Sequence, residues 1–204
     1  MVANLKEELV WMSEEDYLRS EEEREIKHEY IDGYIYAMAG VKKNHARITA
    51  NIDRALGRFL SGKPCESFTS EVKVKVGSKF FYPDVMVVCD DNNQDYYTET
   101  PVIIVEVLSK STRRMDETVK KLAYQAIPTL QEYVLIEQDF VDIEVCRRSA
   151  GWMSYHYFLG DTVCFETIGL EMAVADIYGR VDNEDMQNFL AQAGLNQDLK
   201  QEPV

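Results

Sequence analysis

The segment "PVIIVEVLSKS", residues 101–111, sets one carboxylate, Glu106, in a run that is otherwise aliphatic from Val102 to Leu108. An ionised carboxylate withdrawn from water is costly unless a counter-charge, hydrogen-bond donors or a metal compensates it, or it takes up a proton. The run therefore predicts a central strand, and the strand predicts a partner for Glu106. Downstream, Ser111 or Thr112 can cap a helix reaching about Ala126. Met115, Val119, Leu122 and Ala126 form its apolar stripe, and Pro128 ends it. "EYVLIEQD" and "VDIEVCRRS" then predict two strands joined by a short turn near Asp139 and Phe140. The strands on either side of the helix suit a parallel crossover.

Upstream, "KFFYPDVMVVCD" is almost continuously apolar, as expected of a strand covered on both faces, and "SFTSEVKVKVG" alternates at period two like a half-buried one. Residues 44–60 carry Ile48, Ile52, Leu56 and Phe59 at helical spacing, with Asn44 as the expected N-cap. "HEYIDGYIYAMAG" predicts a hairpin turning at Asp32-Gly33. Leu5 to about Ser20 reads as a helix with Leu5, Leu9, Met12 and Tyr17 near one face, and "SEEEREIKHEY" as a solvated charge run. "DDNNQDYYTETP" is a loop by composition. "WMSYHYFLG", "DTVCFET" and "LEMAVADIYG" predict short closing elements, and the polar C-terminus reads as frayed or only partly helical. The order predicts an α/β fold: a central mixed sheet flanked by helices, one domain over residues 1–180 and a polar tail over 181–204.

Composition narrows the function. With 46% apolar and 28% charged residues in 204, the chain suits an ordinary globular protein. No apolar run approaches the roughly 20 residues of a membrane span, and the N-terminus lacks signal-peptide order, so the expected setting is cytoplasmic, with no membrane partner. Cys65, Cys89, Cys146 and Cys164 form no CxxC pair, which argues against a zinc knuckle or a disulfide framework and reads as four reduced core thiols. A net charge of −14 opposes nucleic-acid binding unless a local basic patch overcomes it.

Asp84, after Pro83, and Glu106 each lie in or at the edge of an apolar strand. On neighbouring strands they would meet, and a cation is the natural third party. Oxygen ligands favour Mg²⁺ or Mn²⁺ over zinc. Lys110, Arg113, Arg114, Lys120 and Lys121 follow Glu106 as the most concentrated positive stretch. They could hold phosphate, aided by the helix N-terminus near Thr112.

"YPDVMVV", "VIIVEVLSKST" and "DETVKKLAYQAIPTLQEYVLIEQD", with "HEYIDGYIYAMAG" and "NHARITANI", resemble the Uma-type restriction-endonuclease family, formerly a domain of unknown function, in the PD-(D/E)XK nuclease-like superfamily. The similarity covers roughly residues 15–178. It implies a restriction-endonuclease-like fold and an Mg²⁺-dependent endonuclease acting on DNA, with Asp84 and Glu106 as metal ligands and the Val107 carbonyl completing the set. The superfamily's strand lysine would stand at Leu108. The family's D-x3-K-x3-Y helix pattern instead falls on Asp116, Lys120 and Tyr124, which makes Lys120 the expected catalytic lysine and Lys121 the alternative. His45, Glu29 and Glu71 are further candidates, each with a plain surface or capping role as its alternative. Tyr82, Tyr96 and Tyr97 could stack on bases but read more simply as core or rim aromatics. The common pairing of such folds and the apolar "YIYAMAG" predict a homodimer. The missing strand lysine and the acidic surface equally suit a degenerate nuclease fold kept as a binding or oligomerisation module.

Overall fold

The structure, a computed structural model, describes residues 11–90 and 94–198. Ser13 caps α1 (Glu14–Glu21), its Oγ accepting the Asp16 N–H at 3.1 Å above an acidic first turn. Tyr17 is its buried residue, Met12 precedes it, and Leu5 and Leu9 lie outside the described residues. The hairpin forms as expected: β1 (His28–Ile31) and β2 (Tyr34–Ala37) turn through Asp32 and Gly33, with φ of 50° and 100°. A side chain on Gly33 would start 2.3 Å from the Trp11 indole nitrogen.

The long helix α2 (Lys43–Leu60) buries Ile48, Ile52 and Leu56. Its N-cap is Lys42 rather than Asn44. Asn44 instead ties the helix to the C-terminal region, donating to the Asp182 carbonyl at 2.8 Å and accepting the Asp182 N–H at 3.1 Å.

Two expected strands are each divided. β3 (Glu66–Thr69) and β4 (Lys73–Val76) separate at residues 70–72; β5 (Lys79–Phe81) and β6 (Val85–Val88) separate at Tyr82-Pro83-Asp84, where proline has no N–H to continue a ladder. In each case the break sends the halves to different sheets. After β7 (Tyr97–Thr98), the opening segment forms β8 (Pro101–Leu108). A π-helical turn, Met115–Lys120, runs into α3 (Lys121–Gln125) and then β9 (Glu132–Glu137), parallel to β8. β10 (Ile143–Arg147), β11 (Ser154–Tyr157), β12 (Thr162–Phe165) and β13 (Leu170–Ala173) precede α4 (Val174–Ile177) and α5 (Glu184–Asp198).

Among the described residues the strands form three sheets: β11-β10-β9-β8-β6-β3, β2-β1-β5-β4-β7, and β12-β13. The first is the expected mixed sheet, with β8 near its centre; the second was not anticipated as separate. Ile103, Val105 and Val107 join the core with α2, while Ile104 and Leu108 join the core with Tyr124 and Ile127. Alternation along β8 puts Glu106 on this second face.

Three expectations are corrected. First, the helical stripe is turned over: Leu122 is 73% exposed and Val119 is exposed, whereas Asp116, Lys120 and Tyr124 are buried. Second, Cys65 and Cys89 form a disulfide, leaving Cys146 and Cys164 as free thiols. Antiparallel pairing of Glu66 with Val88 brings the two cysteines together, which their distance in sequence conceals. Third, the polar C-terminus is helical through Asp198. Met186 is buried, and Asp185 Oδ2 accepts the Val141 N–H at 2.8 Å. No helix among the described residues is long and apolar enough to cross a membrane.

Candidate functional site

The break before β6 and the pairing of Val85 with Val105 set Asp84 beside Glu106. The Asp84 N–H donates to Glu106 Oε2 at 3.3 Å, and the Val107 N–H donates to Asp84 Oδ2 at 2.7 Å. Backbone donors thus hold the two carboxylates together. From the first turns of α2, His45 brings Nε2 to 3.1 Å from Asp84 Oδ2; its buried Nδ1 has no hydrogen-bond partner among the described residues.

Behind this pair lies Lys120. Its ammonium is 2.8 Å from Glu29 Oε1, 3.2 Å from Glu106 Oε1 and 3.2 Å from Asp116 Oδ1. The Tyr124 hydroxyl donates to Glu106 Oε1 at 3.1 Å. Glu29 arrives from β1 and also accepts the Tyr82 N–H at 3.4 Å. The Phe81 ring, 5.8 Å from the ammonium, lends a cation–π contact. Tyr133, which the sequence marked only as a strand residue, donates its hydroxyl to the Asp116 carbonyl at 3.0 Å and steadies the π-helical turn. No local pattern distinguishes that tyrosine from a core aromatic.

Three carboxylates therefore share one ammonium, and a fourth, Asp84, adjoins Glu106. Burial drives the Glu106 carboxyl well above the ordinary range; Lys120 opposes this, and Asp116, Asp84 and Glu29 reinforce it. Burial likewise raises Asp116 against the pull of Lys120. For Lys120, burial disfavours the charge, but Glu106, Glu29 and Asp116 outweigh it and hold the ammonium well above its usual value. Solvent reaches the cluster at its edge, where the Asp84 and Glu29 side chains are 13% and 12% exposed against 4% for Glu106.

Of the candidates, Asp84, Glu106, Lys120, Glu29, His45, Asp116 and Tyr124 are brought together, with Val107 contributing its N–H. Others lie elsewhere. Glu71 is exposed and pairs with Lys27 at 2.6 Å; Lys121 pairs with Glu144 at 2.7 Å. Arg113 grips Glu137 through its two terminal guanidinium nitrogens and pairs with Glu117, while Lys110 and Arg114 stay exposed.

The Uma2 family model, described as "Putative restriction endonuclease", matches residues 14–175. An uncharacterized Synechocystis protein, slr1290, is 36% identical over 173 residues, covering 82% of this chain and 91% of its own. A second, sll1609, is 37% identical over 129 residues, covering 60% and 73%. A crystal structure titled as a putative nuclease belonging to DUF820 from Anabaena variabilis superposes with a TM-score of 0.68 over 82% of this chain and 97% of its own. At 18% identity it shows a shared fold alone. Matched along most of its length by the family model and by a relative aligned over 91% of its own length, the chain belongs to the Uma2 family.

Proposed function

We propose that this protein is a divalent-cation-dependent endonuclease that hydrolyses phosphodiester bonds in DNA, with Asp84 and Glu106 at the reacting centre. The observation that carries the reading is the position of Asp84 against Glu106, inside a cluster of four acids of which three face one ammonium. That excess of buried negative charge calls for a proton or a cation.

Among the described residues no group of three or more His, Cys, Asp or Glu side chains is arranged to hold a metal ion. Magnesium, however, commonly takes only one or two carboxylates and fills its remaining positions with water and substrate phosphate oxygens. Asp84 and Glu106 supply that donor set, so the residues fit Mg²⁺ or Mn²⁺. Such an ion, when bound, neutralises phosphate charge and lowers the pKa of a coordinated water.

The chain's own residues have separable tasks. Asp84, at the exposed edge, meets the substrate, and the Val107 N–H holds its orientation. His45 lies against the same carboxylate and can hold or move a proton at Oδ2. Lys120 and Tyr124 fix Glu106 through Oε1. Lys120 also places a positive charge in the position that Leu108 cannot serve, where it can orient the attacking water and balance developing charge.

The complete engagement of Lys120 by three carboxylates also suits a second reading, a polar core in a nuclease fold that has become a binding module. Incubation with supercoiled plasmid and with single-stranded DNA, in Mg²⁺, Mn²⁺ or EDTA, separates the two. Nicking that requires the cation and disappears in Asp84→Asn is expected, together with Mn²⁺ binding by calorimetry that the substitution weakens. Absence of cleavage in every condition, or equal cleavage by the variant, would leave the binding module.

A further inference from the structure

The outer face of α2 carries a charge pattern that the Asp84–Glu106 cluster does not use. Lys43, Arg47, Arg54 and Arg58 recur at intervals of four, seven and four residues, which places them in one row. The row lies opposite Ile48, Ile52 and Leu56 and runs about 22 Å at the helical rise. Facing it is the turn after α4, which presents Arg180. Between them lies a groove of about 710 Å³ lined by Lys43, Arg47, Arg54 and Arg180, with Ala46, Ala50, Asn51 and Gly179 completing its walls. Among the described residues no carboxylate lines it, although the chain carries a net charge of −14. Farther along, at Arg58, the lining turns mixed, with Glu171 and Asp176.

None of the four cations in the groove forms an ion pair among the described residues. Arg47 and Arg54 donate to the side-chain oxygens of Asn44 at 3.1 Å and Asn51 at 3.4 Å, neutral partners that orient a guanidinium without cancelling it. The facing turn is fastened to the helix: Asn51 Nδ2 donates to the carbonyls of Ile177 at 3.0 Å and Gly179 at 2.9 Å. A side chain on Gly179 would press on the Asp176 carbonyl at 3.1 Å. Arg180 has φ 65°, in the left-handed region that residues with side chains seldom occupy. The fold thus tolerates backbone strain at a position that sets an arginine on the groove wall.

We propose that this groove binds the phosphodiester backbone of a nucleic acid. Guanidinium forks match phosphate oxygens, and the alanines let a backbone approach the helix closely. Charge complementarity is local, so it survives the repulsion of the acidic remainder at short range only. The inference deepens the nuclease reading by supplying a contact to nucleic acid away from the reacting centre, yet the binding itself requires no divalent cation.

The test is fluorescence anisotropy of a short labelled duplex and a single strand, in EDTA, over a salt series. Wild type should bind with affinity that falls as salt rises. Arg47→Ala/Arg54→Ala should lose about tenfold or more in affinity and flatten the log–log salt slope by about 2. Arg180→Gly should weaken binding while keeping or raising Tm, since glycine accepts that φ, and this separates lost contact from lost fold. Unchanged affinity and slope in both groove variants, or displacement by polyglutamate as effective as by unlabelled DNA, would overturn the proposal. Tight groove-dependent binding without nicking would support it while removing the nuclease reading. Nicking with unchanged kcat and KM in Arg47→Ala/Arg54→Ala would do the reverse.

Discussion

Glu106 sits where burial and three neighbouring acids oppose its charge and one lysine and one phenol support it. Its folded carboxyl is raised, so the folded chain holds the proton more tightly than the unfolded one. That contribution is complete below the unfolded value of about 4.3 and is lost as pH rises through the folded value. Glu106→Gln in EDTA should therefore show a higher Tm than wild type near pH 8, with the gap closing near pH 4. A lower Tm near pH 8 would mean that Lys120 outweighs burial. Lys120→Met should act in the opposite sense, because it leaves Glu29, Glu106 and Asp116 facing one another without a cation. A loss of about 3–5 kcal/mol by denaturant unfolding is expected. At this scale the sequence was readable where one charge interrupts an apolar run, as at Glu106. It was silent on which of Lys120 and Lys121 turns inward, since both flank the helical stripe; only the family resemblance chose Lys120.

Between β8 and β9 the helical segment buries Asp116, Lys120 and Tyr124 and exposes Val119 and Leu122, against its periodicity. Magnitudes explain the choice. Leaving a leucine in water forgoes about 1.5–3 kcal/mol, whereas stranding a buried carboxylate without its partner costs about 3–5 kcal/mol. The requirement set by Glu106 on the neighbouring strand thus overrides the helix's own pattern. Leu122→Lys should change stability by no more than about 0.5 kcal/mol, whereas Ile52→Ala in α2, where pattern and burial agree, should cost about 2–5 kcal/mol. Comparable losses from both would place Leu122 in a contact that this fold does not provide. The same logic separates β5 from β6. Their apolar residues read as one strand, but Pro83 interrupts the ladder and the interruption delivers Asp84 to Glu106.

For the whole molecule, the C-terminal region belongs to the packed structure. Met186 joins the main core, Asp185 binds the Val141 N–H, and Asn44 on α2 holds both polar groups of the Asp182 backbone. A chain ending after Asp182 should therefore unfold at lower denaturant concentration, by about 2–5 kcal/mol for a buried methionine and its supporting bonds. An unchanged midpoint would mark α5 as independent of the core. Charge is also distributed at this scale: a strongly acidic chain concentrates cations that form no ion pair among the described residues along one side of α2, which a net total conceals.

Local chemistry alone determined the hairpin at Asp32-Gly33, the buried face of α2, the central strand around Glu106 and its need for company, because turn geometry, periodicity and desolvation act within a few residues. Tertiary structure alone decided the partition into separate sheets, the Cys65–Cys89 bond, the inward turn of Lys120 and the groove between α2 and Arg180. Each of these depends on segments far apart in the chain arriving at one place. There, the energy of a shared contact exceeds the preference of either segment by itself.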